Sequence, residues 1–221
     1  MLLKEALENQ NIEIAKKKFN PKFHHLFKKL FDMGYKLKKQ LGAGSNGVAY
    51  ELEDGTVLKI TMDIKEARAA AKLVGKKNKY IVNFYRSFTF EKYGNLCFIH
   101  QEKLRSANIG ETYFDDYIFY VGDDRTAIEF LVFYITKNKA TGKEINAALD
   151  KIDDMNDPRK IKFLKDMIYA ALELKQNGIT YGDLHSENVM KDDKNFKIID
   201  LGISESDGKI EKVKVEKEYN G

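Results

Sequence analysis

The chain has 221 residues, with 38 Lys or Arg against 34 Asp or Glu, so a net charge of +4 rests on a highly charged surface. That length accommodates one domain, or two small lobes about a cleft, with a sizeable core. The single cysteine, Cys97, excludes an internal disulfide framework and fits a reducing, cytoplasmic setting. No apolar run approaches the roughly eighteen residues of a membrane span, and Met1-Leu2-Leu3-Lys4-Glu5 does not open a signal peptide. Lysine clusters such as Lys16-Lys17-Lys18 and Lys76-Lys77 read as solvated helix faces, not as nucleic-acid grips. His24 and His25 are adjacent and would point to different helix faces, so a shared metal is not expected.

Residues 1–19 are polar and helical in composition. Pro21 can start a helix carrying Phe23, Leu26, Phe27, Leu30 and Phe31 on one stripe, ended by Gly34. The stripe is expected to pack this extension onto the rest; a partner-docking face is the alternative. Gly42, Gly44 and Gly47 then spell G-x-G-x-x-G in Gln40 to Thr61. A dinucleotide-binding loop would run straight into a helix. Here Val48-Ala49-Tyr50-Glu51-Leu52 alternates, meets Asp54-Gly55 and continues as Val57-Leu58-Lys59, which is a strand, a tight turn and a strand.

Asp63-Ile64-Lys65-Glu66 reads as a capping box opening a helix through Leu73, closed by Gly75. Two strands are expected at Tyr80 to Phe90 and Leu96 to Leu104, about a turn at Tyr93-Gly94-Asn95. Residues 105–157 carry an aromatic strand-like run, Tyr117 to Val121, and an apolar run, Ile128 to Ile135, with no further assignment. Asp157-Pro158 caps and starts a helix through Lys175 that buries Ile161, Leu164, Met167, Ile168, Ala171 and Leu172, with Asn177-Gly178 ending it. The tail alternates Ile210, Val213 and Val215 with charges and reads as an edge strand or a solvated terminus, the terminus being favoured.

The densest chemistry lies in Ile179 to Gly202: Asp183, Asn188 five residues later, and Asp200 twelve beyond that. Phosphoryl transfer from ATP needs a carboxylate to orient the attacking hydroxyl, plus amide and carboxylate oxygens to hold Mg²⁺ on the phosphates. These three residues supply those groups, although D-L-x-x-x-N alone is also an ordinary polar turn. With the glycine loop upstream, whose backbone amides can approach phosphates unobstructed by a Cβ, the chain resembles the protein-kinase-like superfamily from Gly42 to Asp200-Leu201-Gly202.

The resemblance implies an α+β, two-lobed fold: an extension at 1–34, an antiparallel-sheet lobe at 35–104 and a truncated, mainly helical lobe at 105–221. It implies ATP held by Gly42, Ala43, Gly44, Ser45, Asn46, Gly47 and Val48. Lys59 would contact the α and β phosphates, with Glu66 as its ion-pair partner unless Glu66 only caps its helix. Gln101 would form the back wall, and Glu102, Lys103 and Leu104 the hinge that binds adenine through its backbone. Asp183 would be the catalytic base, with Asn188 and Asp200 holding magnesium.

The departures are equally specific. Where protein kinases read His-Arg-Asp-Leu-Lys, this chain reads Tyr181-Gly182-Asp183-Leu184-His185. Without the arginine, gating by a phosphorylated loop is not expected. Gly-Asp-Leu-His resembles the loop of aminoglycoside and choline phosphotransferases and of small microbial kinases. His185 takes the place of the lysine that steadies the γ-phosphate, or else makes a structural bond within the loop. Nineteen residues follow Gly202, with no Ala-Pro-Glu motif. The helices that complete the larger lobe and its peptide shelf are therefore missing from this stretch.

The expectation is an ATP- and Mg²⁺-dependent phosphotransferase, a protein Ser/Thr kinase by preference, with the chain itself among its acceptors. A small-molecule hydroxyl kinase is the alternative, for which Asp115, Asp116, Asp123 and Asp124 would offer carboxylates to a cationic acceptor. A non-catalytic ATP-binding module is the third. No membrane partner is expected.

Overall fold

The computed structural model describes residues 24–44, 46–91, 96–108, 114, 119–202 and 204–214, which form an α+β fold. Helix α1 (His24–Asp32) presents Leu26, Phe27, Leu30 and Phe31, all buried, so the stripe is core. Pro21 and Phe23 lie outside the described residues.

A six-stranded sheet follows, in the order β1 (Leu37–Ala43), β2 (Gly47–Leu52), β3 (Val57–Thr61), β5 (Cys97–Gln101), β4 (Phe84–Phe90) and β13 (Glu211–Val213). Period-two alternation sends Val48, Tyr50, Leu58, Ile60 and Phe98 to one face, where they form a cluster with α1. Phe98 stacks on Phe88 there at 5.1 Å between ring centres. The opposite face carries Lys59, opposed by Ala49 on one side and Ile99 on the other. Helix α2 (Ile64–Leu73) packs on that face, its first turn capped by Asp63, whose Oδ1 accepts from the amides of Lys65 (2.8 Å) and Glu66 (3.2 Å).

Two expectations about strands are corrected. The first of the pair begins at Phe84, not Tyr80. Tyr80 and Val82 instead exchange backbone bonds with Ile198 (Ile198 N–H to Tyr80 O, 3.1 Å; Val82 N–H to Ile198 O, 2.9 Å), tying the sheet to the segment that carries Asp200. The described part of the tail is no solvated terminus, and Val215 lies outside the described residues. Residues 211–213 form β13, which runs parallel to β4 with Glu211 opposite Phe88 and Val213 opposite Phe90. Pairing satisfies the edge of β4, and Val213 packs on the α1-side cluster.

The stretch 105–157 that sequence left unassigned supplies β6 (Arg105–Ser106), the hairpin β7 (Phe119–Val121) and β8 (Asp124–Thr126), and two helices, α3 (Ile128–Thr136) and α4 (Gly142–Asp153). Helix α4 opens on a full capping box, Thr141 with Glu144. The T-x-x-E signature of Thr141 to Glu144 marks that start in the sequence itself. Helix α5 (Pro158–Gln176) starts on Asp157 and Pro158 as expected and buries Phe163, Leu164, Met167, Ile168 and Ala171 against α3 and α4 in the larger of two hydrophobic clusters among the described residues, while Ile161 and Leu172 are only partly buried. Strand β9 (Thr180–Tyr181) pairs with β12 (Ser204–Glu205). Beyond it, a 3₁₀ turn (Ser186–Asn188) leads into the hairpin β10 (Val189–Lys191) and β11 (Phe196–Ile198).

Candidate active site

Lysine 59 is held on the sheet, on the α2 side. Its Nζ lies 2.6 Å from Glu66 Oε1 and 2.5 Å from Asp200 Oδ2, a residue 141 positions away. The lysine side chain is 18% exposed, Glu66 4% and Asp200 31%, so the pair is dry on the helix side and open on the other. Burial alone would lower the Lys59 ammonium, but the Glu66 and Asp200 carboxylates raise it above the ordinary lysine value. Burial pushes the Glu66 carboxyl up to about 7, against the pull of Lys59. Because Asp63 satisfies the helix amides, Glu66 is released from capping for the ion pair.

Asp183 and Asn188 stand beside this group. Asn188 Nδ2 donates to the Asp183 carbonyl at 2.8 Å and to Asp183 Oδ2 at 3.3 Å, and the buried Tyr181 hydroxyl donates to the same carbonyl at 2.9 Å. The amide nitrogen of Asn188 is thus committed, and its oxygen is the atom with cation-binding chemistry. Gly202 joins the two acids. Its amide donates to Asp200 Oδ1 at 2.8 Å, and a side chain on it would lie 3.2 Å from Asp200 Oδ1 and 3.5 Å from Asp183 Oδ2. The three residues picked from the Asp-Asn-Asp pattern therefore lie side by side, and Asp200 joins them to Lys59.

The loop bearing Asp183 rests on α3. The Tyr181 amide donates to Thr136 Oγ1 at 3.1 Å, the Thr136 hydroxyl donates to the Tyr181 carbonyl at 3.2 Å, and Gly182 lies on the Phe133 ring. Helix α3 therefore carries the loop, although Thr136 precedes Tyr181 by 45 positions in the chain. Its apolar run was visible in the sequence; its packing partner was not. His185 is exposed beside Asp183, and no side-chain bond from it caps the 3₁₀ turn.

The glycine loop joins β1 to β2, with the Gly44 amide donating to the Gly47 carbonyl at 2.9 Å. Gly42, Ala43, Gly44 and Asn46 are exposed, and Ser45 lies outside the described residues. One expectation fails on parity: Val48 points into the α1-side cluster, and the β2 residue on the Lys59 face is Ala49. The glycines also differ in kind. A Cβ on Gly47 would lie 2.4 Å from the Ile60 carbonyl oxygen, whereas Gly42 and Gly44 have open space. Gly47→Ala is expected to lower stability by about 1–3 kcal/mol through backbone displacement. Gly44→Ala is expected to leave melting unchanged and weaken nucleotide affinity; thermal unfolding beside ATP titration separates the two.

At the other end of the cleft face, Gln101 is buried and its Oε1 has no hydrogen-bond partner among the described residues. The Glu102 carboxylate accepts from the Asn83 amide (2.8 Å) and Lys197 (2.6 Å), while Lys103 reaches Glu51 at 2.9 Å. Leu104 packs on the larger cluster. The fold thus engages the side chains of Glu102 and Lys103, and the Glu102 backbone amide as well, which donates to the Asn83 carbonyl at 2.9 Å. Asp115 and Asp116 lie outside the described residues, and Asp123 is exposed on the β7–β8 turn.

A sheet-borne lysine bridged to a helix glutamate and to the aspartate of Asp-Leu-Gly, with an Asp-Asn loop alongside, defines a class: the chain is protein-kinase-like in fold and in the order of its motifs. A Dictyostelium discoideum protein described as the probable serine/threonine-protein kinase irlC is 27% identical over 199 residues, 89% of this chain, which spans 12% of that relative's length. The structure of the Cydia pomonella granulovirus kinase PK-1 matches 82% of this chain and 59% of its own, at 15% identity and a TM-score of 0.45. No protein-family model matches.

Proposed function

We propose that the chain is an ATP- and Mg²⁺-dependent phosphotransferase that moves the γ-phosphate of ATP to a hydroxyl group, with protein serine or threonine as the favoured acceptor. The observation that carries this reading is the convergence of Lys59, Glu66 and Asp200 beside Asp183 and Asn188. The unpartnered Gln101 Oε1 supports a ligand with an amino group at the back wall, as adenine has.

The donor set fits magnesium. Among the described residues no three His, Cys, Asp or Glu side chains form a metal cage. Mg²⁺ needs none: it takes one or two protein oxygens and draws the rest from water and phosphate. Asn188 and Asp200 would hold it, and when bound it neutralises phosphate charge.

The remaining work falls to this chain's own groups. Lys59, kept protonated by its two carboxylates, binds the α and β phosphates. Asp183 accepts the proton of the attacking hydroxyl as its oxygen bonds to the γ-phosphorus and the bond to the β-phosphate oxygen breaks, giving ADP. His185, exposed in the same loop, donates to the γ-phosphate. Glycine-loop amides close over the phosphates. The protein acceptor is supported by the glycine loop and strand lysine together, and by the description of the Dictyostelium relative. The Gly-Asp-Leu-His loop supports the small-molecule alternative.

Incubation with γ-labelled ATP and Mg²⁺, alone, with casein and with cationic amino alcohols, tests the reading. Label on the chain or on casein is the expected result. Label only on an amino alcohol shifts the acceptor class. ATP binding with no transfer to any acceptor overturns the enzyme reading in favour of a binding module.

A further inference from the structure

The described segment after Asp200-Leu201-Gly202 runs from the catalytic loop to the sheet. Ser204 pairs with Tyr181 at the foot of the catalytic loop, the chain crosses α2, and residues 211–213 join the sheet as its sixth strand. Along the way it touches α2, which carries Glu66, and β4, on which that helix rests.

The crossing is backbone against backbone. A Cβ on Gly208 would lie 1.9 Å from the Arg68 carbonyl oxygen and 3.1 Å from the Lys72 amide nitrogen. Gly208 therefore lies flat on the turn of α2 that follows Glu66. Lys72 pairs with Asp207 beside it, and the Ser206 hydroxyl accepts from the Gly208 amide at 3.1 Å. Farther on, Arg86 of β4 grips Glu211 with both arms, Nε at 2.7 Å and Nη2 at 2.5 Å, fixing the strand register. Ile210 packs on the larger cluster and Val213 on the α1-side cluster, so the strip joins both.

On its other side, α2 meets the sheet, where the Ser87 hydroxyl donates to the Ala67 carbonyl at 2.8 Å. A ten-residue helix is too short to hold itself in water, so its place is set by what packs on it. We propose that residues 204–213 are a built-in strap that holds α2 against the sheet and thereby keeps Glu66 on Lys59, with Gly208 and the Arg86–Glu211 pair as its positioning residues. It rests on the reading of Lys59 as a nucleotide-binding group.

The test is a charge swap. Arg86→Glu and Glu211→Arg singly are expected to speed amide exchange across 64–73 and raise the KM for ATP by roughly tenfold, with a smaller change in kcat. The double swap Arg86→Glu/Glu211→Arg should restore both. Lys165→Ala, which breaks a remote pair with Asp153, should leave both unchanged. Gly208→Val should act as the single swaps do; if it fails to fold, the swap series stands alone. Singles that loosen 211–213 but leave exchange at 64–73 and the KM unchanged overturn the strap. If the chain transfers no phosphate at all, the proposed activity fails, and exchange at 64–73 with ATP affinity still decides for or against the strap.

Discussion

Asp183→Ala is expected to lower the phosphoryl-transfer rate by about 10³-fold while ATP affinity stays near that of the unaltered chain. The magnitude is what a positioned general base contributes, roughly 10²- to 10⁴-fold. The retained affinity follows from how the loop is held. Its carbonyl at 183 is fixed by the Tyr181 hydroxyl and Asn188 Nδ2, and the strand before it is fixed by Thr136. None of those bonds uses the Asp183 carboxylate, whose own bond from Asn188 is long at 3.3 Å. Removing the carboxylate should therefore delete a proton acceptor and leave the scaffold. Single-turnover transfer from γ-labelled ATP, read beside calorimetric binding, separates these effects. Native-rate transfer by the variant would end the assignment of Asp183 as base. Loss of binding in step with transfer would make it a structural residue.

What the sequence disclosed depended on range. Local signals translated directly: Asp63 capped α2, Asp157-Pro158 opened α5, and Asp54-Gly55 turned β2 into β3. The Asp183, Asn188 and Asp200 spacing was legible because hairpin β10–β11 is short and brings its ends together. Three things were not. Val48 was placed on the cleft face, an error of one residue that in a strand reverses the side. Support for the catalytic loop came from α3, whose apolar run is nearly uniform and names no partner. Residues 211–213 looked like a solvated terminus because an edge strand carries few apolar residues of its own. Their pairing depends on an open edge of β4, more than a hundred positions upstream, and on Arg86. Long-range complementarity of this kind leaves almost no local trace.

Lys59→Met is expected to abolish transfer and also to destabilise the fold by about 3 kcal/mol, since breaking a buried ion pair strands its partner. The stranded group is Glu66, 4% exposed, with Asp200 nearby but of the same charge. The pH dependence distinguishes this cause from simple loss of packing. Burial raises the Glu66 carboxyl from an ordinary 4.5 to about 7 even with Lys59 present, and without the ammonium the direction is the same and stronger. A carboxyl whose folded value is raised binds more protons folded than unfolded. Its penalty is therefore absent below the unfolded value, grows as pH rises through 4.5, and is complete only above the folded value. Urea unfolding of Lys59→Met should accordingly show a stability deficit that shrinks as pH is lowered from 8 toward 5. The companion Lys59→Met/Glu66→Gln should recover most of the stability at every pH and none of the transfer. If the double variant remains as unstable as the single, Lys59 matters for its packing and not for its charge. If it regains transfer, the phosphates are bound by another group and the role given to Lys59 is wrong.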